Sequence, residues 1–153
     1  MEKLFESYVA KELSKALGSE YSVTTQEQSL WLFEEPEKLF RLRPDIVVRG
    51  GGKTFILDTK WKVLSDSAYN KYGISQGDMY QMYAYHKKYQ TKPEDVSGCF
   101  LLYPSVGADL KIPPFSADNN GVSVNIFFID LLDNADGITQ SMINLKNKLL
   151  KQT

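Results

Sequence analysis

Asp45, Asp58 and Lys60 are the residues of this chain whose types and spacing suggest chemistry. Gly50-Gly51-Gly52 lies between the two acids and marks a turn. With Gly51 and Gly52 as its central pair, both free to take positive φ, the flanking segments pair by arithmetic. Val48 then opposes Phe55, Val47 opposes Ile56, Ile46 opposes Leu57, Asp45 opposes Asp58 and Arg43 opposes Lys60. A three-residue turn shifts this by one and leaves Asp45 diagonal to Asp58. Strand alternation places Arg43, Asp45, Asp58 and Lys60 on one face. Directly opposed residues have Cβ atoms about 4.5–5.5 Å apart, and like charges there are destabilising. The neighbouring Val, Ile, Leu and Phe give no reason for two acids. One carboxylate can hold a proton, a divalent cation can bind between them as hard oxygen ligands permit, or Lys60 can screen the pair. A plain salt-bridge cluster of the four charged residues is the competing reading.

The surrounding pattern supplies elements to hold these residues. Leu4, Phe5, Tyr8, Val9, Leu13, Ala16 and Leu17 recur at helical spacing before Gly18, with Glu6 at the margin of the stripe. Residues 21–33 read as one strand or two, 39–48 as a strand, and 53–61 as a strand running back. Residues 65–77 are polar and loop-like, and a helix is expected over about 75–90. SGCFLLY at 97–103 reads as a buried strand closed by Pro104. Residues 105–121, with Asn119-Asn120, read as a loop with a short strand near Leu110. VSVNIFFIDL at 122–131 is a strand, and 136–151 is an amphipathic helix. The expected order is α-β-β-β-α-β-β-α, a single α/β domain with a mixed sheet.

Composition narrows the function classes. The 153 residues suit one domain, large enough to fold without metal or disulfide. One Cys, Cys99, excludes a disulfide framework and a multi-Cys zinc site, and one His, His86, excludes a two-His metal site. No apolar run suggests a leader or a membrane span, so the expected address is the cytoplasm. Gly52-Lys53-Thr54 looks like the end of a phosphate-binding loop, but the required earlier Gly is Val47 and a strand follows instead of a helix.

Pro44-Asp45 followed by Asp58-Thr59-Lys60, on consecutive strands, resembles the signature of the PD-(D/E)xK nuclease superfamily. Glu6 on the first helix and Gln81 to Tyr85 on the next, a QxxxY pattern, extend the likeness. LFESYVAKEL, RPDIV, LDTKWK and ISQGDMYQMYAY more closely resemble the nuclease domain of the McrC family, the cutting subunits of McrBC modification-dependent restriction systems. McrC proteins are longer, with an N-terminal region that engages the GTPase McrB. The expectation is a nuclease domain over residues 1–153 without that region.

The resemblance implies a restriction-endonuclease-like fold and Mg²⁺-dependent cleavage of DNA, with Mn²⁺ as a substitute. It implies Asp45, Asp58 and the Thr59 carbonyl as metal ligands, with Glu6 holding a second metal or positioning water. Lys60 would orient the attacking water or stabilise transition-state charge. Gln81 would hydrogen-bond water or phosphate; Tyr85 would support the Lys60 strand or contact the DNA backbone. Asp78 shares that helix face as a further candidate or as an acid suited to the helix dipole. The substrate would be 5-methylcytosine DNA, and the partners DNA and a McrB-type AAA+ GTPase. A stand-alone repair or junction nuclease and an inactive scaffold for a GTPase motor are the alternatives.

The remaining residues read more plainly. His86 is expected to be structural or on the surface, and Cys99 a small buried hydrophobe with no base beside it. Trp31 and Trp61 are core or sheet-edge residues, with Trp61 placed to shield the site or stack on DNA. Lys71, Lys87, Lys88 and Lys92 are solvated charge or phosphate contacts. Of the tyrosines, Tyr80, Tyr83, Tyr85 and Tyr89 are expected to pack along the helix, whereas Tyr69 and Tyr72 lie in a polar loop placed to touch nucleic acid. Eighteen Lys and Arg against nineteen Asp and Glu give a net charge of −1, which fits a cutting subunit brought to DNA by a partner.

Overall fold

The computed structural model describes residues 1–90, 95–105, 110–117, 121–131 and 135–151; Lys92 and Asn119-Asn120 lie outside them. Helix α1, Glu2–Leu17, buries Phe5, Val9, Ala10, Leu13 and Leu17 along one face. Gly18 stops it at φ 76, a left-handed conformation in which its N–H donates to Ser14 O at 3.2 Å. Leu4 and Tyr8 leave the expected apolar stripe and are exposed, at 66% and 38%.

The strands are β1 Ser22–Thr25, β2 Trp31–Phe33, β3 Leu39–Arg41, β4 Ile46–Gly50, β5 Lys53–Thr59, β6 Asp95–Ser105, β7 Phe115–Ala117 and β8 Val122–Asp130. A six-stranded mixed sheet runs β1-β4-β5-β6-β8-β7, and β2 and β3 form a separate pair. The β4–β5 register is the one expected: Ile46 opposite Leu57, Val47 opposite Ile56, Val48 opposite Phe55. Gly51 and Gly52 take φ of 59° and 77°, which the turn requires.

Alternation along the strands fills two cores. Ile46, Val48, Phe55, Leu57, Phe100 and Leu102 face α1 and helix α3, Ala135–Lys151, whose Met142, Leu145 and Leu149 are buried there. Val47, Ile56, Cys99, Leu101 and Tyr103 face the other way, against helix α2, Gln76–Gln90, through Met82, Tyr85 and Tyr89. Helices thus cover both faces, the arrangement that buries the parallel part of the sheet.

Residues 21–33, read as one strand or two, form two, β1 and β2. Elsewhere the elements depart from expectation in four places. Residues 39–48 break into β3 and β4, because Pro44 offers no N–H to a ladder and restrains the residue before it. β6 runs through Pro104 instead of ending there. The β5 ladder stops at Thr59 opposite Leu102, so Pro104 has only β8 to satisfy. The short strand expected near Leu110 lies at Phe115–Ala117, as the sheet edge against β8. A 3-10 segment, Ala68–Gly73, interrupts the loop ahead of α2.

Candidate active site

Asp58 is set by the central strand β5, paired with β4 on one side and β6 on the other. It continues the Ile56 side of the pleat and so faces α2. It is 2% exposed. Asp45 lies just before β4, one residue outside the ladder. The two acids meet there: the Asp45 backbone N–H donates to Asp58 Oδ1 at 3.4 Å, and Asp45 Oδ2 accepts from Thr59 N and Thr59 Oγ1, both at 2.8 Å. The expected juxtaposition therefore forms, held by backbone amides instead of a ladder pair.

Lys60 follows directly. Its N–H donates to Leu102 O at 2.8 Å, which extends the β5–β6 contact by one residue. Its ammonium lies 2.6 Å from Asp58 Oδ2 and 3.3 Å from Asp78 Oδ1, and donates to Gln81 Oε1 at 3.1 Å. Gln81 in turn donates through Nε2 to the Tyr85 hydroxyl at 3.0 Å. Tyr85 is buried. Asp78, Gln81 and Tyr85 occupy successive turns of α2 on one face.

The charges are strained in an informative way. Burial, then the Asp45 charge, push the Asp58 carboxyl up to about 6 despite the pull of Lys60. Burial works against the Lys60 ammonium, yet Asp58 and Asp78 outweigh it and raise its pKa above the ordinary value. Asp58 Oδ2 is buried and has the Lys60 ammonium at 2.6 Å as its charged partner, with no further hydrogen-bond donor among the described residues. A buried carboxylate beside a second carboxylate is a pair of oxygen donors of the kind a hard cation takes. No three His, Cys, Asp or Glu side chains form a ready metal cage among the described residues.

Glu6 reaches the site from α1, half-buried. Burial raises its pKa, with Gln26 opposing and Asp45 adding to the rise. Gln26 is the residue that sequence reasoning missed. Its side-chain amide donates to Glu6 Oε1 and, at 3.1 Å, to Asp45 Oδ1. Its backbone N–H donates to Asp45 O at 3.0 Å, and its φ is 51°, a left-handed conformation uncommon for this residue type. Glu27 anchors the turn: Arg49 donates to both its oxygens at 2.7 and 2.9 Å, and Tyr89 and Ser29 hydroxyls donate at 3.0 Å. The Arg49 hydrogen bonds lead in holding the Glu27 carboxyl down at about 2. Tyr103 of β6 was also missed for this role. Its buried hydroxyl has no hydrogen-bond partner among the described residues, and burial, then Asp78 and Asp58, raise its pKa.

Other expectations change. Arg43 does not face Lys60 and leaves the charged cluster: the ladder ends before it, and its exposed side chain lines a cavity with Lys3, Glu6, Ser7 and Gln26. His86 is buried, and its Nδ1 lies 3.5 Å from Cys99 Sγ, so Cys99 does have a base beside it. Burial nevertheless lifts the thiol far above its ordinary pKa, which leaves it inert. Trp61 is partly exposed and packs edge-on against Phe5, 5.4 Å between ring centres. Tyr80 and Tyr83 are exposed, contrary to the packing expected of them, whereas Tyr85 and Tyr89 are buried. Among the described residues no helix is long and apolar enough to cross a membrane.

No curated protein matches the chain. Among solved structures, it is similar to a chain of the half-complex from the tetradecameric assembly of Thermococcus gammatolerans McrB AAA+ hexamers with bound McrC. The TM-score is 0.68 at 18% identity, over 97% of this chain and 33% of that chain. At that identity the likeness shows the fold alone, and the chain spans about a third of that relative's length. The family described as McrBC 5-methylcytosine restriction system component matches residues 1–104, well over half of the sequence, and the chain belongs to that family.

Proposed function

We propose that residues 1–153 form a nuclease domain of PD-(D/E)xK type that hydrolyses DNA phosphodiesters with Mg²⁺, as the cutting part of a McrBC-type system acting on 5-methylcytosine DNA in the cytoplasm. A McrB-type GTPase would bring it to DNA. The observation that carries this reading is the close Asp45–Asp58 carboxylate pair, with Asp58 buried, next to a cation held from three sides by Asp58, Asp78 and Gln81.

Asp45 and Asp58, with the Thr59 carbonyl, would hold Mg²⁺, and Glu6 would extend the set beyond Gln26. When bound, Mg²⁺ supplies Lewis acidity toward water and the phosphate oxygens. The chain's own residues do the rest. Lys60 is kept protonated by Asp58 and Asp78, so it serves as a donor to a phosphate oxygen gaining charge, not as a base. Gln81 accepts one Lys60 hydrogen bond and so aims the ammonium, and the Tyr85 hydroxyl, which accepts from Gln81 Nε2, fixes Gln81. Gln26 keeps Glu6 and Asp45 a fixed distance apart.

The test is plasmid cleavage with Mg²⁺, alone and with a McrB-type GTPase plus GTP. Asp58→Ala is expected to abolish cutting and Lys60→Ala to reduce it by ~10²–10³, the usual loss of one such donor. Cleavage that survives both substitutions would sink the site. Cleavage without the GTPase would favour a stand-alone nuclease. A folded chain that neither cuts nor binds Mg²⁺ by calorimetry would favour a scaffold.

A further inference from the structure

Arg43 and one stripe of α1 have no part in the site just described. The Arg43 cavity, about 260 Å³, is lined by Lys3, Glu6, Ser7, Gln26 and Arg43. A second cavity of about 390 Å³ shares Glu6, Ser7 and Gln26 and continues along α1 past Lys11 and Ser14, with Thr25 of β1 on its other wall. Together they make one groove between α1 and β1 that opens at the Glu6–Gln26–Asp45 bridge. Lys3, Ser7 and Lys11 recur every four residues, so they form one stripe. All three, and Arg43, are exposed.

The groove is cationic and rich in hydroxyls. Glu6 is its one carboxylate, and Gln26 occupies that carboxylate. Lys15, off the stripe, pairs with Glu12 at 3.3 Å, whereas Lys3, Lys11 and Arg43 form no ion pair among the described residues. Lys3 and Lys11 stand about 12 Å apart along the helix axis at ~1.5 Å per residue. That is the axial rise of three to four phosphates of one DNA strand at ~3.4 Å each. Serine and threonine hydroxyls and lysine and arginine cations are the groups that contact phosphates without reading sequence.

We propose that the α1–β1 groove is a track for the DNA backbone, with Lys3, Lys11 and Arg43 each taking a phosphate of one strand on the way to the carboxylates. This rests on the nuclease reading above, and it adds where the strand runs beside the scissile bond. The track contacts backbone alone, which suits a subunit that leaves base recognition to a partner.

The experiment measures binding of a fluorescent duplex oligonucleotide to the full chain by anisotropy, in EDTA so that cleavage does not enter. The slope of log K against log salt counts phosphates neutralised. Arg43→Gln is expected to flatten it by about 0.9, and Lys3→Gln, Lys11→Gln and Arg43→Gln together by about 2.7. Arg43→Lys should restore the slope, and Lys15→Gln should leave it unchanged. A wild-type chain that shows no salt-dependent binding, an unchanged slope in the triple variant, or an equal loss with Lys15→Gln would each overturn the track. Asp58→Asn separates the two ideas: it should bind with the wild-type slope and fail to cut. Retained cutting by Asp58→Asn would defeat the nuclease site, whatever the slopes show.

Discussion

Replacing Asp58 by Asn distinguishes an active-site carboxylate from a structural ion pair. Asn has the shape of the protonated acid and carries no charge. The Asp58 carboxyl rises from an ordinary 3.8 to about 6 in the fold, chiefly by burial and then by Asp45. At ~1.4 kcal/mol per pH unit, holding it ionised at neutral pH costs the folded state about 3 kcal/mol. The sign follows from proton counting. Below pH 3.8 both folded and unfolded chains are protonated and the cost is absent; it builds as pH rises and is complete above about 6. Asp58→Asn is therefore expected to be more stable than wild type at neutral pH without metal. For a chain of this length the gain corresponds to about 6–12 °C in Tm. The advantage should shrink through pH 4 and vanish below about pH 3, where the Asp58 carboxyl is protonated in the folded and unfolded chain alike. Thermal melts in EDTA across this range read the effect. Added Mg²⁺ should raise the wild-type Tm and leave that of Asp58→Asn unmoved, since a ligand that binds only the native state stabilises it. A variant less stable than wild type at neutral pH would refute the reasoning, because it would mean that the Lys60 attraction outweighs burial and Asp45.

Further outcomes follow from the contacts around the site. Gln26→Ala should weaken Mg²⁺ binding and cleavage by ~10–100-fold, the usual effect of removing a group that orients ligands, and should have little further effect in a Glu6→Gln background. Calorimetry on both variants and their double mutant checks this. Glu27→Gln should destabilise the chain by about 1–3 kcal/mol in urea unfolding at neutral pH, since it breaks a two-pronged Arg49 pair. That difference should shrink as pH falls from 4.5 toward 2, where the wild-type carboxylate takes up its proton. Gly50→Ala places a Cβ 2.3 Å from the Tyr21 ring and should cost about 1–3 kcal/mol in the same assay; an unchanged midpoint would show that Tyr21 moves aside freely.

What could be read from the sequence depended on how local its cause was. The β4–β5 register follows from two glycines and a two-residue turn, so the approach of Asp45 to Asp58 was visible. The α2 face followed from spacing alone, which made Asp78, Gln81 and Tyr85 neighbours before any geometry was known. Gln26 was hidden because its role depends on a left-handed turn and on acids 20 and 19 positions away. Arg43 was misplaced because the strand was carried through Pro44. The Glu27–Arg49–Tyr89 clamp joins the β1–β2 loop to β4 and α2, and none of its members has a sequence neighbour that points to it.

The position of β5 in the sheet also governs the order in which the molecule opens. A strand paired on both edges and covered on both faces exchanges its amide hydrogens only in the slowest, most global openings. Asp58 and Thr59 belong to that strand, whereas Glu6 rides on α1, which is joined to the sheet by side-chain packing and not by ladder hydrogen bonds. The site is thus divided between a half fixed by the sheet backbone and a half that depends on how α1 packs. Substitutions among the apolar side chains under α1 should shift Glu6 while the β5 carboxylate stays in place.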